Sequence, residues 1–263
     1  MSKRLTSSLR GLLVLLGLVS IASLALAQPG PLPFDPTHYW TYHLLEQQPL
    51  PQPIFAKDQF FRQGVPLTVE RRERLLNWVH KNNSAVPDTF IHYTWWNILE
   101  KLPVNRQVIV SNQFGSYRAQ VLNLEFMLVP AWKNQQQAVA PHANHYLCYR
   151  AVGFPGPPQG YDLRDEWRVD YQFPHDMEYL CAPCLKQHQG LVFAPVDTVT
   201  HLAVYPIEPY SDVFYPLVAD QFLVRPEYVQ QEPVEYLFVP SEKTDLPTRT
   251  RHSTWDRIKK LYR

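Results

Sequence analysis

The chain has 263 residues, of which 45% are hydrophobic and 19% are charged, and its formal net charge is +1 at pH 7. This is the composition of a globular protein, and the near-neutral balance excludes a strong basic field that would attract nucleic acid. The chain contains 25 prolines against 9 glycines, which favours short strands joined by rigid loops because proline lacks the N–H that helix interiors and sheet ladders need.

The N-terminus has the pattern of a secretory signal peptide. Three basic residues precede or border an uncharged apolar run over residues 11–26, which ends in Ala25-Leu26-Ala27, the small-x-small pattern that a signal peptidase requires. The run is at the short end for crossing a bilayer, which needs roughly 20 residues. We therefore predict a signal peptide over residues 1–27 with cleavage after Ala27, a linker over residues 28–37, and a secreted or periplasmic protein.

Three landmarks recur in the same order along the rest of the chain. A histidine is followed four residues later by an aromatic residue, at His38/Tyr42, His92/Trp96, His145/Tyr149 and His201/Tyr205. A triplet of Asx, Gln or Glu, and an aromatic residue comes 19 or 20 residues after each histidine and begins at Asp58, Asn112, Asp165 and Asp220. A lysine follows in each copy, at Lys81, Lys133, Lys186 and Lys243. This register predicts four diverged tandem units of about 54 residues, with units 1 and 2 over residues 38–144 and units 3 and 4 over residues 145–244.

Within each unit the pattern favours short strands. Val108 and Val110 alternate with polar residues, as do Tyr161 and Leu163, which is typical of half-buried strands. The Asx that opens each triplet suits a turn, because its side chain can accept a hydrogen bond from the backbone N–H two residues on. We predict an all-β, mainly antiparallel fold. The units either form two sandwich- or barrel-like halves or close as a four-bladed propeller.

Two segments favour short helices instead. In unit 1, residues 68–83 place acidic residues early and basic residues late around Leu75, Leu76 and Val79, which predicts a helix with Thr68 as its N-cap. In the basic C-terminal tail, residues 245–263, apolar residues fall at helical spacing after Ser253. We expect this tail to dock on the protein's own core, on a partner or, through residues 249–263, on an anionic surface.

Parts of the sequence resemble a repeat domain of unknown function that occurs in secreted bacterial and archaeal proteins, with the loose pattern CYR…NQFG…LxVPxEK. The matching segments are Asn112-Gln113-Phe114-Gly115, His145-Tyr146-Leu147-Cys148-Tyr149-Arg150 and Val239-Pro240-Ser241-Glu242-Lys243. The resemblance covers residues 92–244 well and residues 38–91 poorly. It implies export and a β-rich repeat, and it brings no established activity.

The three cysteines all lie in the third unit. Cys148 and Cys181 stand where other units carry apolar pairs, namely Trp95 with Leu128 and Val204 with Phe238. Because both positions change together, we predict a Cys148–Cys181 disulfide, which an oxidising compartment permits.

The segment Cys181-Ala182-Pro183-Cys184 leaves two alternatives open. A C-x-x-C pair can be a redox dithiol. The same cysteines with His175 and His188 could also bind a metal ion. In a closed ring of units the four repeated histidines could converge on a metal, but a hydrogen bond from each ring to a neighbouring carbonyl is the commoner arrangement. We expect the four repeated lysines to be solvated or snorkelling strand ends.

The sequence contains none of the motifs G-x-S-x-G, H-E-x-x-H or the glycine-rich phosphate loop. We therefore predict a non-catalytic protein without a cofactor, which binds another envelope or extracellular protein or a surface glycan and not nucleic acid. A carbohydrate-binding module is an alternative, and it requires coplanar, exposed aromatic side chains among Trp95, Trp132, Trp167 and Tyr161. The second alternative is a redox or metal protein centred on Cys181 and Cys184.

Overall fold

Strands make up all of the regular structure that the computed structural model describes. It describes residues 37–44, 49–82, 89–134, 143–210, 214–222, 227–228 and 231–246, all within one compact unit, Pro33–Arg263. The strands are β1 (His38–Leu44), β2 (Pro49–Lys57), β3 (Val65–Lys81), β4 (His92–Ile98), β5 (Pro103–Asn112), β6 (Gly115–Lys133), β7 (His145–Val152), β8 (Tyr161–Arg164), β9 (Val169–Gln172), β10 (Tyr179–His188), β11 (Leu191–Phe193), β12 (His201–Tyr210), β13 (Leu217–Asp220), β14 (Glu227–Tyr228) and β15 (Gln231–Asp245). The predicted signal peptide and the predicted C-terminal helix lie outside the described residues. Within the described part of the chain, no helix is long or apolar enough to cross a membrane.

Eight of these strands form a closed ring in which each strand is antiparallel to both neighbours. The order around the ring is β1, β3, β4, β6, β7, β10, β12, β15 and back to β1. The ring closes between β1 and β15, where Tyr39 lies opposite Phe238. The predicted all-β, antiparallel fold is thus confirmed.

The arrangement differs from both architectures predicted from the sequence. A single ring of strands replaces the two sandwich- or barrel-like halves, because β6 pairs directly with β7 from Gln120↔Val152 to Leu128↔Tyr146. Separate propeller blades are excluded by the same kind of pairing, which joins all fifteen strands into one hydrogen-bonded network. Strand edges that a separate blade would leave open are paired here with a neighbouring strand of the ring.

The remaining strands extend the ring outward. Each strand that precedes a triplet pairs with the C-terminal end of a ring strand: β2 with β10, β5 with β15, β8 with β3 and β13 with β6. Three short strands, β9, β11 and β14, pair as hairpins with β8, β10 and β13. The triplets therefore lie on the outside of the ring.

Alternation along each ring strand creates two apolar layers, because successive side chains point to opposite faces. One apolar cluster contains residues of the ring strands and of the segments that flank them, including Tyr93, Trp95 and Phe126. It fills the inside of the ring. The other combines the outward residues of the ring with those of the outer strands and triplets, including Trp96 and Tyr149. Where both clusters meet a ring strand, consecutive residues are buried and apolar, as over residues 126–131 of β6.

The predicted helix in unit 1 is wrong, because residues 68–81 lie in the strand β3. β3 pairs with β1, β2 and β4, and its register to β4 shifts between Val69 and Arg71 and again between Arg72 and Arg74. Leu75 and Leu76 are both buried, since one faces the outer part of the molecule and the other the inside of the ring. Adjacent buried leucines and the bulges in register break strict alternation, which is why the local pattern resembled a helix.

Candidate functional site

The Asx residue of each triplet connects the outer layer to the ring. Its Oδ1 accepts a 2.8 Å hydrogen bond from the backbone N–H two residues on, which belongs to Phe60, Phe114, Trp167 and Phe222. The other end of the side chain bonds to an aromatic residue of a ring strand: Tyr149 donates to Asp58 (2.6 Å), Tyr42 to Asp165 (2.7 Å) and Trp96 to Asp220 (2.9 Å), and Asn112 donates to Tyr205 (2.9 Å). The aromatic residue that follows each repeated histidine is therefore the hydrogen-bond partner of an Asx that opens a triplet.

These buried carboxylates are held by several donors. Asp165 accepts from Trp40 and Asn77 in addition to Tyr42. Burial raises the pKa of Asp58, although its hydrogen bond from Tyr149 opposes the rise. Burial likewise raises the pKa of Tyr42 and of Tyr149. A buried carboxylate is tolerated when charge-assisted hydrogen bonds satisfy it, so these side chains fasten the triplets to the ring.

Three of the repeated histidines bond to the glutamine of a triplet instead of converging. The pairs are His38 with Gln113, His145 with Gln221 and His201 with Gln59. Burial lowers the pKa of His145 to about 3 and that of His201 to about 4, so both rings are neutral at pH 7. His201 Nδ1 also donates to the carbonyl of Val199 at 2.7 Å. Among the described residues, no group of three or more His, Cys, Asp or Glu side chains is arranged to hold a metal ion.

Three of the four repeated lysines are not the solvated or snorkelling strand ends that the sequence predicted, whereas Lys81 is half-buried. Lys133 and Lys186 are almost fully buried, and the side chain of Lys243 is 2% exposed. Each repeated ammonium lies over an aromatic ring: Lys81 over Tyr161 (4.2 Å), Lys133 over Trp167 (4.0 Å), Lys186 over Phe222 (4.3 Å) and Lys243 over Phe60 (5.1 Å). Attraction to the ring face offsets part of the cost of leaving water.

The lysine environments also differ from copy to copy. Lys133 donates to Asn77 at 2.9 Å and forms an ion pair with Glu166. Within the described part of the chain, Lys186 Nζ has no hydrogen-bond partner, and Gln221 stands at the triplet position that Glu166 fills for Lys133. Burial lowers the pKa of both lysines to about 7.

The predicted disulfide is confirmed. Cys148 on β7 and Cys181 on β10 lie directly opposite each other and are bonded, with their Cα atoms 3.9 Å apart. Both belong to the cluster inside the ring. The disulfide therefore replaces the apolar contact that other copies make between the same two positions.

Cys184 lies on the other face of β10, in the outer cluster. Residues three apart on a strand point to opposite faces, so the two cysteines of the C-x-x-C segment face away from each other. Burial raises the pKa of the Cys184 thiol well above its ordinary value, which disfavours the reactive thiolate. The geometry thus does not favour a Cys181–Cys184 redox pair.

The two histidines considered as metal ligands have other neighbours. His188 lies 3.3 Å from the side-chain oxygen of Gln52 and packs edge-on against Phe222. His175 contacts Glu208 at 3.1 Å on the surface. His175 also lines an open cleft of about 620 Å³ with Arg150, Asp176 and Glu178. These contacts are those of ordinary surface and strand residues.

The aromatic residues considered for sugar binding do not form an exposed platform. Trp95 is 3% exposed and Tyr161 is 6% exposed, and Trp132 and Trp167 are half-buried. Trp95 stacks on Phe126 inside the ring, with ring centres 3.4 Å apart. Trp95, Tyr161 and Trp167 pack in or against the apolar clusters, and no observation favours the carbohydrate-binding alternative.

Sequence reasoning missed a fourth recurring residue. A glutamate precedes each repeated lysine by eight positions, at Glu73, Glu125, Glu178 and Glu235. Each forms an ion pair: Glu73 with Arg74 (3.0 Å), Glu125 with Lys101 (3.0 Å), Glu178 with Arg150 (2.8 Å) and Glu235 with Arg74 (2.5 Å). Extending the alignment backwards from the lysines would have found it. Arg74 also lies 4.5 Å above Trp95, so Glu73 and Glu235 help to hold its guanidinium over the inner cluster.

Taken together, the recurring side chains define an all-β protein whose repeated polar residues fasten an outer layer to a ring of strands. Comparison with known families identifies a repeat in this chain. Residues 92–239 match the family described as a repeat of unknown function, DUF7450, and the chain belongs to that family. No curated protein matches the chain, and no solved structure matches it.

Proposed function

We propose that this chain is an exported, non-catalytic repeat protein that acts as a binding or structural module at the cell envelope or outside the cell. One observation carries the proposal: the repeated polar residues are used within the fold. Their contacts are the Asx–aromatic hydrogen bonds, the His–Gln pairs and the lysines over aromatic rings. Groups that are occupied in this way are not available for chemistry on a substrate.

The regular contacts also support four tandem copies of one unit. Each Asx bonds to an aromatic residue two copies away along the chain, and each His–Gln pair joins successive copies or the last copy to the first. A unit that completes its core through other copies cannot fold alone. The copies then form a scaffold, and binding takes place where they differ.

Export is supported by the signal-like N-terminus and by the buried disulfide, since structural disulfides persist in oxidising compartments. The test is to express the chain with a C-terminal tag, separate cytoplasmic, envelope and extracellular fractions, and measure the intact mass of the tagged protein. We expect a mature protein that begins at Gln28 and carries the oxidised Cys148–Cys181 bond. Full-length protein confined to the cytoplasm would overturn the assignment of location.

Partners are then sought by chemical crosslinking in intact cells and purification through the tag. The matched control is a variant with the signal sequence disrupted by Leu15→Arg, which keeps the protein in the cytoplasm. A partner that is crosslinked to the exported protein and not to this variant supports a binding role. Turnover of a substrate that depends on the folded protein would contradict a non-catalytic role.

A further inference from the structure

The strand β9 forms an edge of the molecule. It pairs with β8 on one side, from Tyr161↔Gln172 to Arg164↔Val169, and it ends the strand order, with no other strand of the described residues beside it. Exposed sheet edges offer unpaired N–H and C=O groups to another strand, and natural proteins usually protect them with charges, proline or a covering segment.

The outward face of β9 and of the residue after it is apolar. Val169, Tyr171 and Phe173 are 66%, 55% and 53% exposed, whereas Gln172 is buried. The Tyr171 ring covers Gly160, where an added Cβ would come within 2.7 Å of it. Tyr171 also packs edge-on against Phe173, with ring centres 5.2 Å apart. The rings of Tyr171 and Phe173 are therefore held against each other before any partner arrives.

The backbone of β9 is also prepared for pairing. The N–H of Tyr171 donates to Asp170 Oδ1 at 2.9 Å, which indicates that it points away from β8. Asp170 Oδ2 accepts from Arg168 at 2.6 Å and from Gln172 at 2.5 Å. Asp170 therefore keeps two partners if the N–H of Tyr171 turns to another strand.

We propose that β9 pairs with β9 of a second copy of this chain, as antiparallel strands about a two-fold axis at Tyr171. In that register Val169 lies opposite Phe173 of the partner subunit, and Asp170 lies opposite Gln172 of the partner subunit. Apolar side chains then meet on one face, and an acid meets an amide on the other, without opposed like charges. An interface of this kind is self-complementary, as a two-fold dimer requires.

The charges on β9 specify this register. A two-fold axis at Asp170 would oppose two aspartates, which is destabilising. An axis at Tyr171 avoids that contact and aligns all three exposed apolar residues. The self-complementary sequence therefore identifies a second copy as the occupant of this edge. The inference goes beyond the proposed function and stands whether or not an envelope partner is found.

The experiment is sedimentation velocity of the mature protein over a wide range of concentrations. We expect a reversible monomer–dimer equilibrium. Val169→Lys should weaken the dimer at least about tenfold, because it places an ammonium opposite an apolar ring and puts a protective charge on the edge. The matched control is Val192→Lys on β11, a valine of similar exposure on another short strand, and it should leave the dimer unchanged. Circular dichroism confirms that each variant is folded.

A second variant tests the register itself. In Val169→Lys/Phe173→Glu, opposite charges face each other across the two-fold axis, so dimer formation should recover relative to Val169→Lys. A monomeric wild-type protein overturns the proposal. A dimer that Val169→Lys leaves intact overturns it as well, and so does one that the double variant fails to restore.

Discussion

Replacing Lys186 by methionine tests whether buried lysines make the stability of the ring depend on pH. Lys186 is fully buried, and burial lowers its pKa from 10.5 to about 7. Since one pKa unit corresponds to about 1.4 kcal/mol, keeping the proton costs the folded protein about 5 kcal/mol. Methionine preserves much of the apolar stem and cannot titrate, so the variant removes the cost of protonation and leaves the fold in place.

The sign follows from the two protonation states. The unfolded chain keeps the Lys186 proton up to pH 10.5, whereas the folded protein releases it near pH 7. Between these values the unfolded chain binds more protons, so the free energy of unfolding rises with pH. The rise is about 2 kcal/mol per such lysine from roughly pH 7 to pH 9. Lys133 has the same lowered pKa, so together the two lysines contribute about 4 kcal/mol in the wild-type protein.

The assay is urea unfolding, monitored by tryptophan fluorescence at several pH values between roughly pH 7 and pH 9. Lys186→Met should lose about 2 kcal/mol of the rise, Lys133→Met a similar amount, and the double variant about 4 kcal/mol. Burial also lowers the pKa of Lys81, so this lysine adds to the rise in all of these proteins. His145 and His201 are neutral in this range and contribute little to the slope. The Cys184 thiol opposes the rise near the upper limit, to the same extent in all of these proteins. Identical slopes for wild type and Lys186→Met would refute the assignment of a lowered pKa to buried lysine.

The remaining predictions concern the disulfide and the hydrogen bonds that stabilise the ring and its outer layer. Cys148→Ala/Cys181→Ala removes a crosslink between residues 33 apart in sequence and should lower the free energy of unfolding by about 4 kcal/mol. By contrast, Cys184→Ser should leave the intact mass consistent with one disulfide. Tyr149→Phe deletes a hydrogen bond to the Asp58 carboxylate and should cost about 2–3 kcal/mol, whereas Tyr205→Phe deletes one from the neutral Asn112 amide and should cost about 1 kcal/mol. Equal losses in urea unfolding would contradict a charge-assisted bond at Asp58.

Features that depend on local pattern were predictable from the sequence. Strand alternation and proline content gave the all-β fold. The joint change of two aligned positions gave the Cys148–Cys181 bond, because directly opposed residues on neighbouring strands must change together when a disulfide replaces an apolar contact. The recurrence of Asx suggested a turn, and each Asx indeed accepts the backbone hydrogen bond two residues on.

Features that depend on distant pairing were not predictable. Nothing near Asp58 in the sequence indicates that its second oxygen binds Tyr149. Lysine is rarely buried, so the repeated lysines suggested solvent exposure, and only the outer layer shows that Lys186 is covered by Phe222. In β3, tertiary pairing on both sides overrides a local pattern of helical spacing. The sequence thus indicated the strands and turns, while pairing between distant strands forms the ring.

The pairing of β1 with β15 has a consequence for how this chain gains its stability. In a linear array each repeat contacts only its neighbours, so stability grows copy by copy and partial arrays can fold. In a ring, loss of any one strand leaves two open edges and uncovers the aromatic interior. Folding is therefore expected to be all-or-none across the strands of the ring. During synthesis, one edge of β1 stays unpaired until Gln231–Asp245 has been made. Pairing of β15 with β1 is therefore the step that closes the ring.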